Sequence, residues 1–141
     1  QMFLGRMYED GHGVLQDYKE AVKWFRKAAG QGNASSQLFL GMMYANGQGV
    51  LQDLKEAVKW YCKAADQGNE NAQGLLGYLY EQGIGVPQDY STAYAWYSLS
   101  AYNGSEKGAA GRDSLDKEMS PEQLAKGQEL AKELLKQIEA N

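Results

Sequence analysis

Leu40-Gly-Met-Met-Tyr-Ala-Asn-Gly-Gln-Gly-Val50, followed by Asp53-Leu-Lys-Glu-Ala-Val-Lys-Trp60 and Ala64-Ala65, decides the fold because it occurs three times. Leu4-Gly5, Tyr8, Gly11, Gly13-Val14, Asp17, Ala21, Trp24 and Ala28-Ala29 form an earlier copy, and Leu76-Gly77, Tyr80, Gly83, Gly85-Val86, Asp89, Ala93 and Trp96 a later one. The interval is constant, since 41 minus 5 and 77 minus 41 both give 36. A fixed period of this length marks an architecture in which one supersecondary unit stacks on the next. Residues 1–36 and 37–72 agree at roughly two-thirds of positions, far beyond chance for a self-comparison.

Each copy reads as helix, loop, helix. In the second copy the first helix runs from Asn33 or Ala34 to Ala45, with Leu40 and Tyr44 one turn apart on its inner face. Gly41 sits beside them. A mid-helix glycine costs about 1 kcal/mol relative to alanine, so its return at Gly5 and Gly77 predicts close approach by another helix. Gly47 suits a left-handed C-terminal cap, and a loop through Gly49 leads to Val50 and then to Asp53, which opens the second helix. Asp17 with Glu20 and Asp53 with Glu56 read as variant capping boxes, whereas Asp89 with Thr92 lacks the reciprocal half. In the second helix, Ala57, Trp60 and Ala64 recur at helical spacing. The tryptophan series Trp24, Trp60 and Trp96 therefore reads as a core filler that each copy needs. Gly32, Gly68 and Gly104 end these helices, and Asn33, Asn69 and Ser105 are the expected N-terminal caps of the next helix in each case.

After Ser105 the pattern changes. The positions equivalent to Leu76, Gly77 and Tyr80 become Arg112, Asp113 and Asp116. Ser120-Pro121-Glu122-Gln123 then opens a last helix with a cap, a proline in its first turn and a capping-box glutamine. Leu124, Gly127, Ala131, Leu134, Leu135 and Ile138 line one face of it. This reads as a C-terminal lid over the last repeat. Residues 1–104 thus hold three repeats, about 1–32, 33–68 and 69–104, and 105–141 the capping helices. Gln1 aligns with Gln37 and Gln73, part-way into a helix, so the first repeat reads as truncated and the chain as a piece of a longer precursor, from which any targeting segment is lost.

Composition excludes several function classes. The 14 basic and 18 acidic residues give a net charge of −4 and are interspersed, so nucleic acid is not an expected partner, since phosphate binding needs a clustered basic face. No apolar run approaches the roughly 18 residues of a membrane span, so no membrane insertion is expected. Cys62 is the only cysteine, which rules out an internal disulfide.

The motif Leu-Gly, Tyr, Gly-x-Gly-Val, Asp, Ala, an aromatic residue and Ala-Ala, with Ser100 replacing the first alanine of the last copy, resembles the Sel1-like repeat, a relative of the tetratricopeptide repeat. The segment with Arg112-Asp113 and Ser120-Pro-Glu-Gln-Leu124 looks like the tail of bacterial members. The resemblance implies an all-α fold, a right-handed α/α solenoid of helix-turn-helix repeats ending in a cap helix. It also implies a non-catalytic adaptor that binds a protein or peptide, and it favours an exported or periplasmic protein over a cytoplasmic one.

No catalytic, cofactor or metal site is expected. His12, the sole histidine, occupies a loop position with no second ligand or nucleophile predictable beside it. The Gly-x-Gly loops follow a helix instead of a strand and lack the third glycine of a dinucleotide fingerprint. Ser114-Leu-Asp-Lys117 matches the Ser-x-x-Lys of penicillin-binding enzymes, which gives a rival reading as a hydrolase of that or the β-lactamase type, but its two partner motifs are missing. Cys62 has no activating base predictable near it beyond Lys59 and Lys63. Asn33-Ala-Ser35 and Asn103-Gly-Ser105 satisfy the glycosylation sequon but fall where caps belong.

The sharper lead is where the copies disagree: Met2, Leu38 and Gly74; Arg6, Met42 and Tyr78; Glu9, Ala45 and Glu81; Asp10, Asn46 and Gln82. Within each copy these positions share one helical face. In tetratricopeptide-like solenoids the first helix lines the concave side. The expected partner site is therefore a groove with apolar Leu38, Met42 and Tyr78, flanked by Arg6, Glu9 and Glu81 and edged by Asn46 and Gln82, suited to a peptide with apolar anchors. A third reading is structural: a first repeat with an open face could pair with upstream repeats or with a second copy as a homodimer.

Overall fold

The computed structural model describes residues 11–140, with side chains from Asp17 onward. Every regular element among them is an α-helix: α1 (Gly11–Gly30), α2 (Ala34–Asn46), α3 (Leu54–Asp66), α4 (Glu70–Gln82), α5 (Tyr90–Tyr102), α6 (Glu106–Asp116) and α7 (Pro121–Ala140). The chain divides into two compact units, Gln1–Trp60 and Tyr61–Asn141, with the division inside α3.

The helix starts are set by side-chain oxygens. Asn33 accepts from the amide of Ser36 at 2.8 Å, Asn69 from Ala72 at 2.9 Å and Ser105 from Gly108 at 3.1 Å. Each satisfies a first-turn donor with no carbonyl partner in its own helix. Gly47 and Gly83 close α2 and α4 at φ 66° and 71°, the left-handed region that L side chains adopt only with strain. The loops after them are tied down as well. Asp53 donates its amide to the carbonyl of Tyr44, and Asp89 to Tyr80, both at 2.9 Å. Gln52 and Gln88 reach the carbonyls of Ala45 and Glu81, also at 2.9 Å.

This clasp corrects the capping-box reading. Asp53 and Asp89 do cap their helices, accepting from Glu56 and Thr92. The amide that a glutamate would reach back to is already given to Tyr44, so Glu56 turns to Lys59 at 3.5 Å. In the first copy the departure is larger. Gly11, Gly13 and Asp17 lie within α1, where the corresponding Gly47 and Gly49 form a loop. The 47–50 loop is braced by the backbone of Tyr18 and Lys19, against which Gly49 sits.

In the first unit α1 packs on α2. Ala21, Val22 and Ala29 meet Leu40 and Met43, with Tyr18, Phe25, Tyr44, Val50 and Trp60 around them. In the second, α4 packs on α5, and α5 carries both α6 and α7. Ala93, Tyr97 and Leu115 form a cluster lined by Tyr80, Tyr90, Tyr94 and Met119. Two buried glutamines stitch helices together: Gln37 donates to the carbonyl of Ala29 at 3.1 Å, and Gln73 to Ala65 at 3.0 Å while accepting from Asn103 at 2.9 Å.

The expected close approach at the helical glycine holds in the third copy. A Cβ on Gly77 would stand 2.6 Å from the Tyr97 ring, and one on Gly111 of α6 would stand equally close to the same ring. The last helix opens with the reciprocal box read from its sequence: Gln123 donates its amide to Ser120 Oγ, and Ser120 donates its amide to Gln123 Oε1. It docks on α5, where Gly127 lies against Tyr94 and the Ser91 hydroxyl donates to the Gln123 carbonyl at 2.9 Å. The tryptophan series does not behave as one filler. Trp96 is 7 % exposed, on a helix that α4, α6 and α7 all pack against, but Trp24 is 70 % exposed.

Candidate functional site

Of the variable positions of the repeat, Met42 and Asn46 fall on an exposed face of α2, and Tyr78, Glu81 and Gln82 on a face of α4. On α2, Met42 is 37 % exposed and Asn46 is exposed. On α4, Tyr78 is 49 % exposed, Gln82 is exposed and Glu81 is half-buried. Arg6 and Glu9 lie outside the described residues, as does the first-repeat face on which the homodimer reading depends.

Leu38 is a correction. It is 8 % exposed and sits in the buried stripe of α2 with Gln37, Leu40, Gly41 and Met43, so it offers almost nothing to a partner. Variation at this repeat position follows from packing. The third-copy equivalent, Gly74, lies against Ser100, whose hydroxyl donates to the carbonyl of Glu70 at 2.7 Å.

Phe39 takes Leu38's place. It is close to half exposed, one turn before Met42, and its ring stacks on Phe25 with centroids 5.4 Å apart. The underlying Phe25 holds it in place. The copies do differ here, as Phe3, Phe39 and Leu75, but three apolar residues read naturally as core.

Glu81 is held by a device the sequence does not announce. Tyr97 of α5 donates its hydroxyl to Glu81 Oε1 at 2.7 Å. Burial, then this hydrogen bond and the charge of Glu81, push the Tyr97 phenol well above the usual tyrosine range, so it stays a donor. No ion pair reaches Glu81 among the described residues.

His12 falls in the first turn of α1, not in a loop. Ser114 and Lys117 are both exposed at the end of α6. Burial, and next the charge of Asp66, push the Cys62 thiol up, opposite to what an activated nucleophile needs. Asn33 and Asn103 are engaged, one as a cap and one as donor to Gln73. Among the described residues no group of three or more His, Cys, Asp or Glu side chains could hold a metal ion, and no helix is long and apolar enough to cross a membrane.

Short helices joined by glycine-capped loops at a 36-residue period define a helical-repeat protein of the type whose helices pack in sequential pairs. The Sel1 repeat model matches residues 1–33, 34–69 and 71–105, and the chain belongs to the Sel1 repeat family. It is similar to the crystal structure of a protective antigen present in uropathogenic Escherichia coli strains, described as displaying an SLR fold, with a TM-score of 0.86 and 33% identity over 96% of this chain. It is also similar to a Sel1 repeat protein from Oxalobacter formigenes, with a TM-score of 0.67 and 39% identity over 78% of this chain. The chain spans 29% of the first protein and 45% of the second. No curated protein matched it.

Proposed function

We propose that the chain is a non-catalytic adaptor that binds a protein or peptide on the exposed helix faces built from Phe39, Met42 and Asn46 on α2 and from Tyr78, Glu81 and Gln82 on α4. The observation that carries this reading is the exposure of large apolar side chains at one and the same repeat position, Met42 in the second copy and Tyr78 in the third. A solvated surface with no partner has no need for an apolar residue at that position in both copies, and rigid helices hold such anchors for a partner at little entropic cost. The family supports it as well, since Sel1 repeats are interaction modules rather than catalytic ones.

The test is selection of peptides from a random library displayed on phage, with the whole chain as bait, followed by titration calorimetry of the best binder. The double substitution Met42→Ala with Tyr78→Ala is expected to weaken binding about tenfold or more, corresponding to ~1.4 kcal/mol. Unchanged affinity would sink the proposal.

A further inference from the structure

Glu81 stands out on the α4 face because its carboxylate is oriented but not neutralised. Tyr97 takes one oxygen, Oε1, at 2.7 Å, and the ring that carries this hydroxyl is itself wedged between Gly77 and Gly111. The donor therefore comes from a side chain with little room to move, and the carboxylate it holds is pre-organised. Oε2 is left without a hydrogen-bond partner among the described residues. One turn away on the same face, the ring of Tyr78 is half exposed. The unit that carries it is acidic overall: residues 61–141 contain twelve acidic and seven basic residues, a net charge of −5, and the charged residues of α4 are Glu70 and Glu81.

We propose that Glu81 is the docking point for a basic side chain, lysine or arginine, of the bound polypeptide, with Tyr97 as the residue that positions the carboxylate and Tyr78 as the ring that flanks the cation. Charge complementarity selects this occupant. A carboxylate with a free oxygen on a unit of net negative charge attracts a cation and repels an acidic segment, and a tyrosine face beside it adds cation–π attraction. A neutral apolar anchor alone would leave the oriented carboxylate desolvated and unpaired, which costs affinity.

This inference rests on the adaptor reading, and its test separates the two. Peptides selected on the whole chain are expected to carry a lysine or arginine at a constant distance from an apolar anchor. Glu81→Gln is expected to weaken them tenfold or more while leaving the fold intact, because the glutamine still offers Tyr97 an acceptor. Replacing the basic residue by norleucine should cost the same in the wild type and nothing further in Glu81→Gln, a coupling that a merely structural role of Glu81 would not produce. Tyr97→Phe should weaken binding less than Glu81→Gln does, and full affinity in that variant removes the positioning role. Peptides that respond to Tyr78→Ala but not to Glu81→Gln overturn the docking point and leave the adaptor reading standing. Peptides indifferent to both Met42→Ala and Tyr78→Ala overturn both.

Discussion

The hydroxyl of Tyr97 is bonded to Glu81 across 2.7 Å, and its ring fills the space that side chains would need at Gly77 and Gly111. One residue of α5 thus meets α4 and α6 through glycines and orients a carboxylate on the α4 face. Gly77→Ala and Gly111→Ala each place a Cβ within 2.6 Å of the ring. Overpacking costs about 1–3 kcal/mol, and the helix-propensity gain of about 1 kcal/mol offsets only part of it. Both variants are expected to be less stable in urea titration. Gly30→Ala, with nothing within 4 Å, is the control expected to be neutral or stabilising.

Alkaline pH should loosen the fold through its buried phenols. Burial pushes Tyr61 up to about 12 from an ordinary 10.0, and Tyr97 is also raised. Below pH 10 both are protonated in folded and unfolded chains, and the stability they contribute is fully present. Above pH 10 the unfolded chain sheds protons that the folded chain keeps, so stability falls as pH rises towards the folded values. The urea midpoint should drop above pH 10 in the wild type and drop less in Tyr61→Phe and Tyr97→Phe. Equal slopes in all three would place the titration elsewhere.

Gln73 is fully buried and serves two partners, the carbonyl of Ala65 and the side chain of Asn103. Gln73→Ala strands both and opens a cavity, with an expected loss of about 2–4 kcal/mol. Gln73→Met keeps most of the volume. If the two variants lose equal stability, packing and not hydrogen bonding is what this residue supplies.

Asn69→Ala removes the oxygen that accepts from Ala72 and should cost about 1 kcal/mol, while Asn69→Asp retains the cap and should be close to neutral. Thermal or urea unfolding of the two variants side by side decides this. A loss in both would point to the amide group of Asn69 instead of its cap oxygen.

A fluorescent penicillin is expected to leave the chain unlabelled, since Ser114 and Lys117 both stand exposed at the end of α6. Labelling that disappears in Ser114→Ala would revive the hydrolase reading.

Repetition made the fold legible. Asn33, Asn69 and Ser105 act as caps, and Gly47 and Gly83 take left-handed conformations, because local hydrogen-bond chemistry acts over a few residues and a sequence shows such residues side by side. Long-range burial was less visible. Leu38 and Phe39 are adjacent apolar residues of one helix, and only the direction of α1 beneath them decides that the first is buried and the second exposed. The partner of Glu81 lies sixteen residues away on another helix, and a tyrosine at that position in two copies, Tyr61 and Tyr97, gives no sign that only one of them has a carboxylate to meet.

The amides of Asp53 and Asp89 given to the carbonyls of Tyr44 and Tyr80 act together as a length gauge. In both copies nine positions separate donor from acceptor, and Gln52 and Gln88 add a second bond of matched reach beside them. An inserted or deleted residue between the two helices would break both bonds at once, so insertions and deletions are barred there while substitutions on the outer faces of α2 and α4 are not. Such a chain can diverge in what it holds without losing count of its own period.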